Sequence, residues 1–175
     1  HDAGFTFDEN GRIVFYDRDN GTDIRSLTYD EIMAKEYADD FEGLGHYAKV
    51  CNFDTYVRIC KEEGKIAFVT LREKAIEELV PRVLAVLKKY CMDEHCVINS
   101  FTYETLQEVR KYSAAIPVSF VQPLKECLDR AAVDRMISLG NGIICMFLYN
   151  GKGTRPDLLE ESEENLRYAR ENDVQ

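Results

Sequence analysis

Among side chains able to ligate metal or attack a substrate, the cysteines and histidines come first. Cysteines stand at positions 51, 60, 91, 96, 127 and 145, and histidines at 1, 46 and 95. The cysteines form no CxxC pair, and Cys60 and Cys145 sit inside apolar patterns. That distribution reads as free thiols in a reducing compartment, so a cytoplasmic location is expected over a secreted one. Cys91 and Cys96 flank His95, but the spacing fits no standard zinc framework. His46 follows Gly45 and reads as a loop histidine. Gly151-Lys152-Gly153-Thr154 resembles a phosphate-cradling loop only in part, and a turn with Thr154 capping the last helix explains it. The chain contains neither GxGxxG nor GxxxxGK[ST], so a nucleotide-binding sheet gains no support.

The elements that position such residues follow from pattern. Phe5-Thr6-Phe7 and Arg12 to Tyr16 read as strands around the turn cluster Asp8-Glu9-Asn10-Gly11. Thr28-Tyr29-Asp30-Glu31 is a capping box that starts a short helix running to about Lys35. Tyr37 to Lys49 reads as loop. A regular rhythm follows. Helices are expected at Asp54 to Glu63, from the residues after Thr70 to about Tyr90 with a break or restart at Pro81, and after Thr102. Others are expected at Leu124 to Ala132, Val133 to Ser138 and Pro156 to Asn172. Strands are expected at Ile66 to Thr70, Cys96 to Ser100, Pro117 to Val121 and Ile143 to Leu148. Near-continuous apolar strands alternating with helices mean a parallel sheet buried on both faces, hence an α/β protein.

Composition bounds the rest. The 175 residues suit one globular domain, and 22 Lys and Arg against 32 Asp and Glu leave a net charge of −10. Such a chain repels nucleic acid, and none is expected as a partner. No apolar run approaches the roughly 20 residues needed to span a bilayer.

Several segments, in order, resemble the glycerophosphodiester phosphodiesterases. Asp2-Ala3-Gly4-Phe5-Thr6 is similar to the family's D-V-x-L-T, and Gly11 to Asp17 to its G-x-x-V-x-H-D. Ser26 to Ile32 is similar to its LTxxEI, Phe53 to Lys65 to its helix ending in KxxGK, and Phe68 to Arg72 to xIELK. Val97 to Phe101 is similar to viSSF, and Ile116 to Val121 to iPvgfL. The resemblance implies an incomplete (β/α)8 TIM barrel, from the end of the second strand through the sixth helix. The first strand and the last two would lie outside residues 1–175, so the chain is expected to be part of a longer one. It also implies hydrolysis of a small phosphodiester substrate, a glycerophosphodiester, to an alcohol and glycerol 3-phosphate with Ca2+ or Mg2+.

The same resemblance assigns roles. Asp2 matches a metal-binding aspartate; a rival register places it on the neighbouring glutamate. Tyr16 stands at the position of a catalytic histidine, with Asp17 beside it, although a phenol with a reference pKa near 10 is a poor base at neutral pH. Thr70 stands at a metal-binding glutamate, where a neutral hydroxyl holds a hard cation weakly. Arg72 replaces a lysine and keeps a positive charge for phosphate, and Ser100 reads either as a substrate contact or, in preference, as a helix-capping neighbour of Thr102. With Tyr16 and Thr70 in those places, the alternative is a non-catalytic barrel of the same lineage that binds a phosphorylated ligand or a protein.

Overall fold

The computed structural model describes residues 4–7, 9–16, 22–23, 26–41, 46–72, 76–122, 127–146 and 156–175. It divides into two compact units, His1–Tyr56 and Val57–Gln175.

The first unit is built on a five-stranded sheet. β1 (Gly4–Phe7) pairs antiparallel with β2 (Ile13–Tyr16) and with β3 (Thr22–Asp23). β2 pairs parallel with β4 (Glu36–Phe41), which pairs antiparallel with β5 (His46–Lys49). The segment expected as loop from Tyr37 is therefore mostly strand. Its Glu-Tyr-Ala-Asp-Asp-Phe sequence carries acidic residues of poor β-propensity, and pairing with sequence-distant partners overrides them. Between these strands α1 (Tyr29–Met33) starts at the expected capping box. The Glu31 N–H donates to Thr28 Oγ1 at 3.3 Å, and the Thr28 N–H to Glu31 Oε2 at 2.7 Å.

α2 (Phe53–Glu62) is capped by Asn52, whose Oδ1 accepts the Thr55 N–H at 2.8 Å. It ends at Gly64, where φ is +60° and the Lys65 N–H returns to the Cys60 carbonyl at 2.8 Å. A side chain at that left-handed position would be strained, which is why glycine stops the helix there.

The second unit carries a four-stranded parallel sheet in the order β6 (Ala67–Thr70), β7 (Cys96–Ser100), β8 (Val118–Val121), β9 (Gly142–Cys145). Val69 pairs with Ile98, Ile98 with Val118 and Val118 with Gly142, as a parallel ladder requires. The intervening helices are α3 (Ile76–Lys89), α4 (Tyr103–Tyr112) and α5 (Arg130–Leu139), followed by α6 (Pro156–Glu161) and α7 (Glu163–Glu171). Buried Val80, Val83 and Leu87 of α3, Leu106 and Val109 of α4, and Val133 and Met136 of α5 form the helical side of the core. Burying a side chain of this size contributes about 1.5–3 kcal/mol. At Gly142 a Cβ would lie 3.1 Å from both Met136 Cε and the Met136 carbonyl oxygen, so glycine lets α5 sit close against this strand.

Three helix expectations change. α3 runs unbroken through Pro81, and its buried stripe is Val80, Val83 and Leu87, with Leu79 turned outward. In place of two helices from Leu124, one helix begins at Arg130, because the Asp129 side chain accepts the Ala132 N–H at 2.6 Å. Of the earlier stretch, 123–126 lies outside the described residues and 127–129 is neither helix nor strand. The closing helix is divided at buried Ser162, whose hydroxyl accepts the Leu128 N–H at 2.9 Å while Asn165 Nδ2 donates to the Leu128 carbonyl at 2.9 Å.

Candidate functional site

In a parallel sheet, residues in register on neighbouring strands share a face. Gly142, against Met136 of α5, marks the helical face, and Val118, Ile98 and Val69 lie on it by register. The opposite face carries the register row Thr70–Asn99–Ser119–Ile143. Three of these four residues are polar: Thr70 ends β6 and Asn99 is next to last in β7, at the C-terminal ends where (β/α)8 barrels place their chemistry, while Ser119 is the second residue of β8.

Thr70 is exposed, Asn99 is 6% exposed and Ser119 is 0% exposed. Asn99 Nδ2 donates to Thr70 Oγ1 at 3.3 Å. Among the described residues Asn99 Oδ1 and Ser119 Oγ are buried with no hydrogen-bond partner, and so is Gln122 Oε1, although Gln122 Nε2 donates to the Cys127 carbonyl at 3.1 Å. Just past the end of β6, the Arg72 guanidinium carbon lies 4.7 Å from the centroid of the Phe101 ring, a cation–π contact that holds the side chain at the rim. Arg72 itself is exposed.

Ser100 takes the place that the sequence favoured, as a capping neighbour of Thr102. Alternation puts it on the helical face, where its hydroxyl donates to the Leu71 carbonyl at 2.9 Å and accepts the Thr102 N–H at 3.2 Å. Those bonds fix the turn into α4 and commit the hydroxyl. Its neighbour Asn99 is the side chain presented beside Thr70. Asn99 and Ser119 were missed as site residues, and the available signal was a polar residue interrupting an otherwise apolar strand run.

Asp2 and Asp17 lie outside the described residues. Tyr16 ends β2, with its backbone opposite Phe5, and its side chain is outside what is described. His46 opens β5 rather than lying in a loop. Cys91 adopts a left-handed conformation (φ 53°) that closes α3, with the Met92 N–H returning to the Leu87 carbonyl at 2.9 Å. Burial, with Asp93 adding to it, pushes the Cys96 thiol up to about 11, so on its own it stays protonated at neutral pH. Among the described residues no three His, Cys, Asp or Glu side chains gather as a metal-holding group. Of the cation ligands implied by resemblance only Thr70 is described, and its neutral oxygen, already bonded to Asn99, does not fit a hard dication. The described row can bind hydroxyls and, through Arg72, an anion; it holds no base effective at neutral pH.

No protein-family model matches the chain, and no curated protein matches it by sequence. Solved structures do. One is a Silicibacter pomeroyi DSS-3 protein provisionally assigned as a glycerophosphoryl diester phosphodiesterase. It shares 19% identity over 99% of this chain and 70% of its own, with a TM-score of 0.62. Another, from Galdieria sulphuraria and provisionally assigned as a glycerophosphodiester phosphodiesterase, shares 16% identity over 96% of this chain and 84% of its own, with a TM-score of 0.48. The likeness to the first is one of fold: the parallel strands and their helices are part of a (β/α)8 barrel, as the sequence resemblance implied. No described helix is long and apolar enough to cross a membrane.

Proposed function

We propose that this chain is a glycerophosphodiester hydrolase, converting a glycerophosphodiester and water to an alcohol and glycerol 3-phosphate. The observation that carries the reading is Arg72, held against Phe101 at the strand-end rim beside the row Thr70–Asn99–Ser119, within the fold of the Silicibacter pomeroyi protein. A guanidinium there suits the phosphate anion, and the row beside it suits the hydroxyls of the esterified alcohol. Dependence on Ca2+ or Mg2+ belongs to this proposal through Asp2, since Thr70 supplies only a neutral oxygen. Tyr16 would serve as a proton donor rather than as a base.

The test is release of glycerol 3-phosphate from several glycerophosphodiesters with and without chelator. Metal-dependent release that Arg72→Ala lowers by about 10- to 100-fold is expected, from the loss of a charged contact. Absence of metal-dependent release on every head group overturns the reading.

A second reading, a non-catalytic barrel that binds a phosphorylated ligand, is favoured by the neutral Thr70–Asn99 pair. It expects calorimetric binding without turnover, and hydrolysis gained by Tyr16→His combined with Thr70→Glu.

A further inference from the structure

We propose that Cys127, Glu161 and Gln122 form a binding site for a thiophilic divalent cation, Zn2+ in the first instance. The proposal rests neither on the hydrolase reading nor on the cation assigned there to Asp2. Cys127 Sγ donates to Glu161 Oε2 at 2.6 Å, across 34 residues of sequence. The thiols of Cys51 and Cys96 stand farther from their acceptors, backbone carbonyls at 3.3 and 3.6 Å. A thiol is a weak donor, and what brings this pair together is the frame beside it. The next residue on each side, Leu128 and buried Ser162, are joined by the Leu128 N–H to Ser162 Oγ at 2.9 Å, and Asn165 Nδ2 holds the Leu128 carbonyl at 2.9 Å. The segment before α5 and the end of α6 therefore present sulfur and carboxylate to each other from fixed backbone.

Gln122 supplies an independent observation. It follows β8 and is 5% exposed, and its Nε2 donates to the Cys127 carbonyl at 3.1 Å, which seats the amide against the same residue. Its Oε1 is buried without a partner among the described residues. Buried polar atoms are almost always satisfied, so this acceptor calls for a donor or a cation from outside the chain. A dication answers all three side chains. The Cys127 proton leaves to water, a sulfur–metal bond forms, and thiolate and carboxylate together balance the charge. Zn2+ accepts sulfur and oxygen ligands and leaves its fourth position to water, whereas a thiolate does not suit Ca2+ or Mg2+. Exposed Glu160, Glu163 and Glu164 on α6 and α7 add a field that draws cations.

The test titrates the 175-residue chain with Zn2+ against a chromophoric chelator, and with Co2+ as a coloured substitute, in excess Ca2+ and Mg2+. Saturable binding with a sulfur-to-Co2+ charge-transfer band is expected, unmoved by the hard cations. Cys127→Ser should abolish the band. Glu161→Gln keeps the thiol and should weaken Zn2+ binding about tenfold or more, since losing even a group that only supports a ligand costs about 10–100-fold. Cys51→Ser and Cys91→Ser, at the two exposed thiols, should change neither result. Zn2+ should raise the melting temperature of the parent and leave that of Cys127→Ser where it stands. A band that survives Cys127→Ser, affinity unchanged in Glu161→Gln, binding that never saturates, or displacement by Ca2+ or Mg2+ would each overturn the proposal.

Discussion

Glu31 carries its carboxylate into two hydrogen bonds from Thr28, one from the backbone N–H and one from the hydroxyl, each 2.7 Å. The backbone bond chiefly, then the hydroxyl, holds the Glu31 carboxyl below its ordinary value of 4.5. A depressed folded value means stability that is fully present above the unfolded pKa and lost as pH falls through the folded one. We therefore expect α1 to keep its cap above the ordinary carboxyl value and to fray only as pH falls through the lowered Glu31 value. Thr28→Ala removes the hydroxyl contact but keeps the backbone N–H, so it should move the Glu31 titration only part of the way back towards the ordinary value and weaken this acid dependence, as an NMR titration of the carboxyl would show. This cap was readable from Thr28 and Glu31 because its geometry is local. Asn99 and Ser100 were not separable in the same way. In a strand buried on both faces no hydrophobic alternation says which residue faces the helices, and only the register with Thr70 and Ser119 decides it.

Arg110 acts between elements. Projecting from α4, its Nε donates to the Leu139 carbonyl at 2.7 Å, its Nη1 to Ser113 and Ile116 at 3.1 and 2.7 Å, and its Nη2 to Gly140 at 2.6 Å. One guanidinium thus ties the end of α4, the approach to β8 and the end of α5, and burial holds its pKa below the usual guanidinium value. Arg110→Met should leave those half-buried carbonyls without donors and cost roughly 2–4 kcal/mol, measured as a lower denaturant midpoint at unchanged slope. Arg110→Lys should recover only part of the loss, since a single ammonium cannot reproduce the planar fork. Arg110 was visible in the sequence only as a member of a helical pattern. The carbonyls it serves lie up to 31 residues away, in turns whose shape no local signal fixes. The β–α rhythm from Val57 onward was legible because each element announces itself by its own period and caps. β4 and β5 were not, since their pairing supplies what their acidic sequence withholds.

At the scale of the molecule, the parallel sheet ends on one side with β6, which is hydrogen-bonded to β7 alone among the described strands. Ile66, just before this strand, is 64% exposed and Phe68 within it 51% exposed. An open strand edge flanked by large apolar side chains is a template for pairing with another copy of the chain. Opposing this is the net charge of −10, which keeps copies apart at low ionic strength. The Debye length falls from about 30 Å at 0.01 M salt to about 8 Å at 0.15 M, so added salt removes the repulsion and leaves the edge and its apolar side chains in place. Association that grows with both protein concentration and salt is therefore expected in sedimentation velocity. Phe68→Lys, which sets a charge beside the edge, should shift the population to monomer without lowering the melting temperature, because the side chain it replaces is half exposed. If the parent chain sediments as a monomer at every salt concentration and melts in one cooperative step, β6 is not an adhesive edge, and the barrel segment is self-sufficient as it stands.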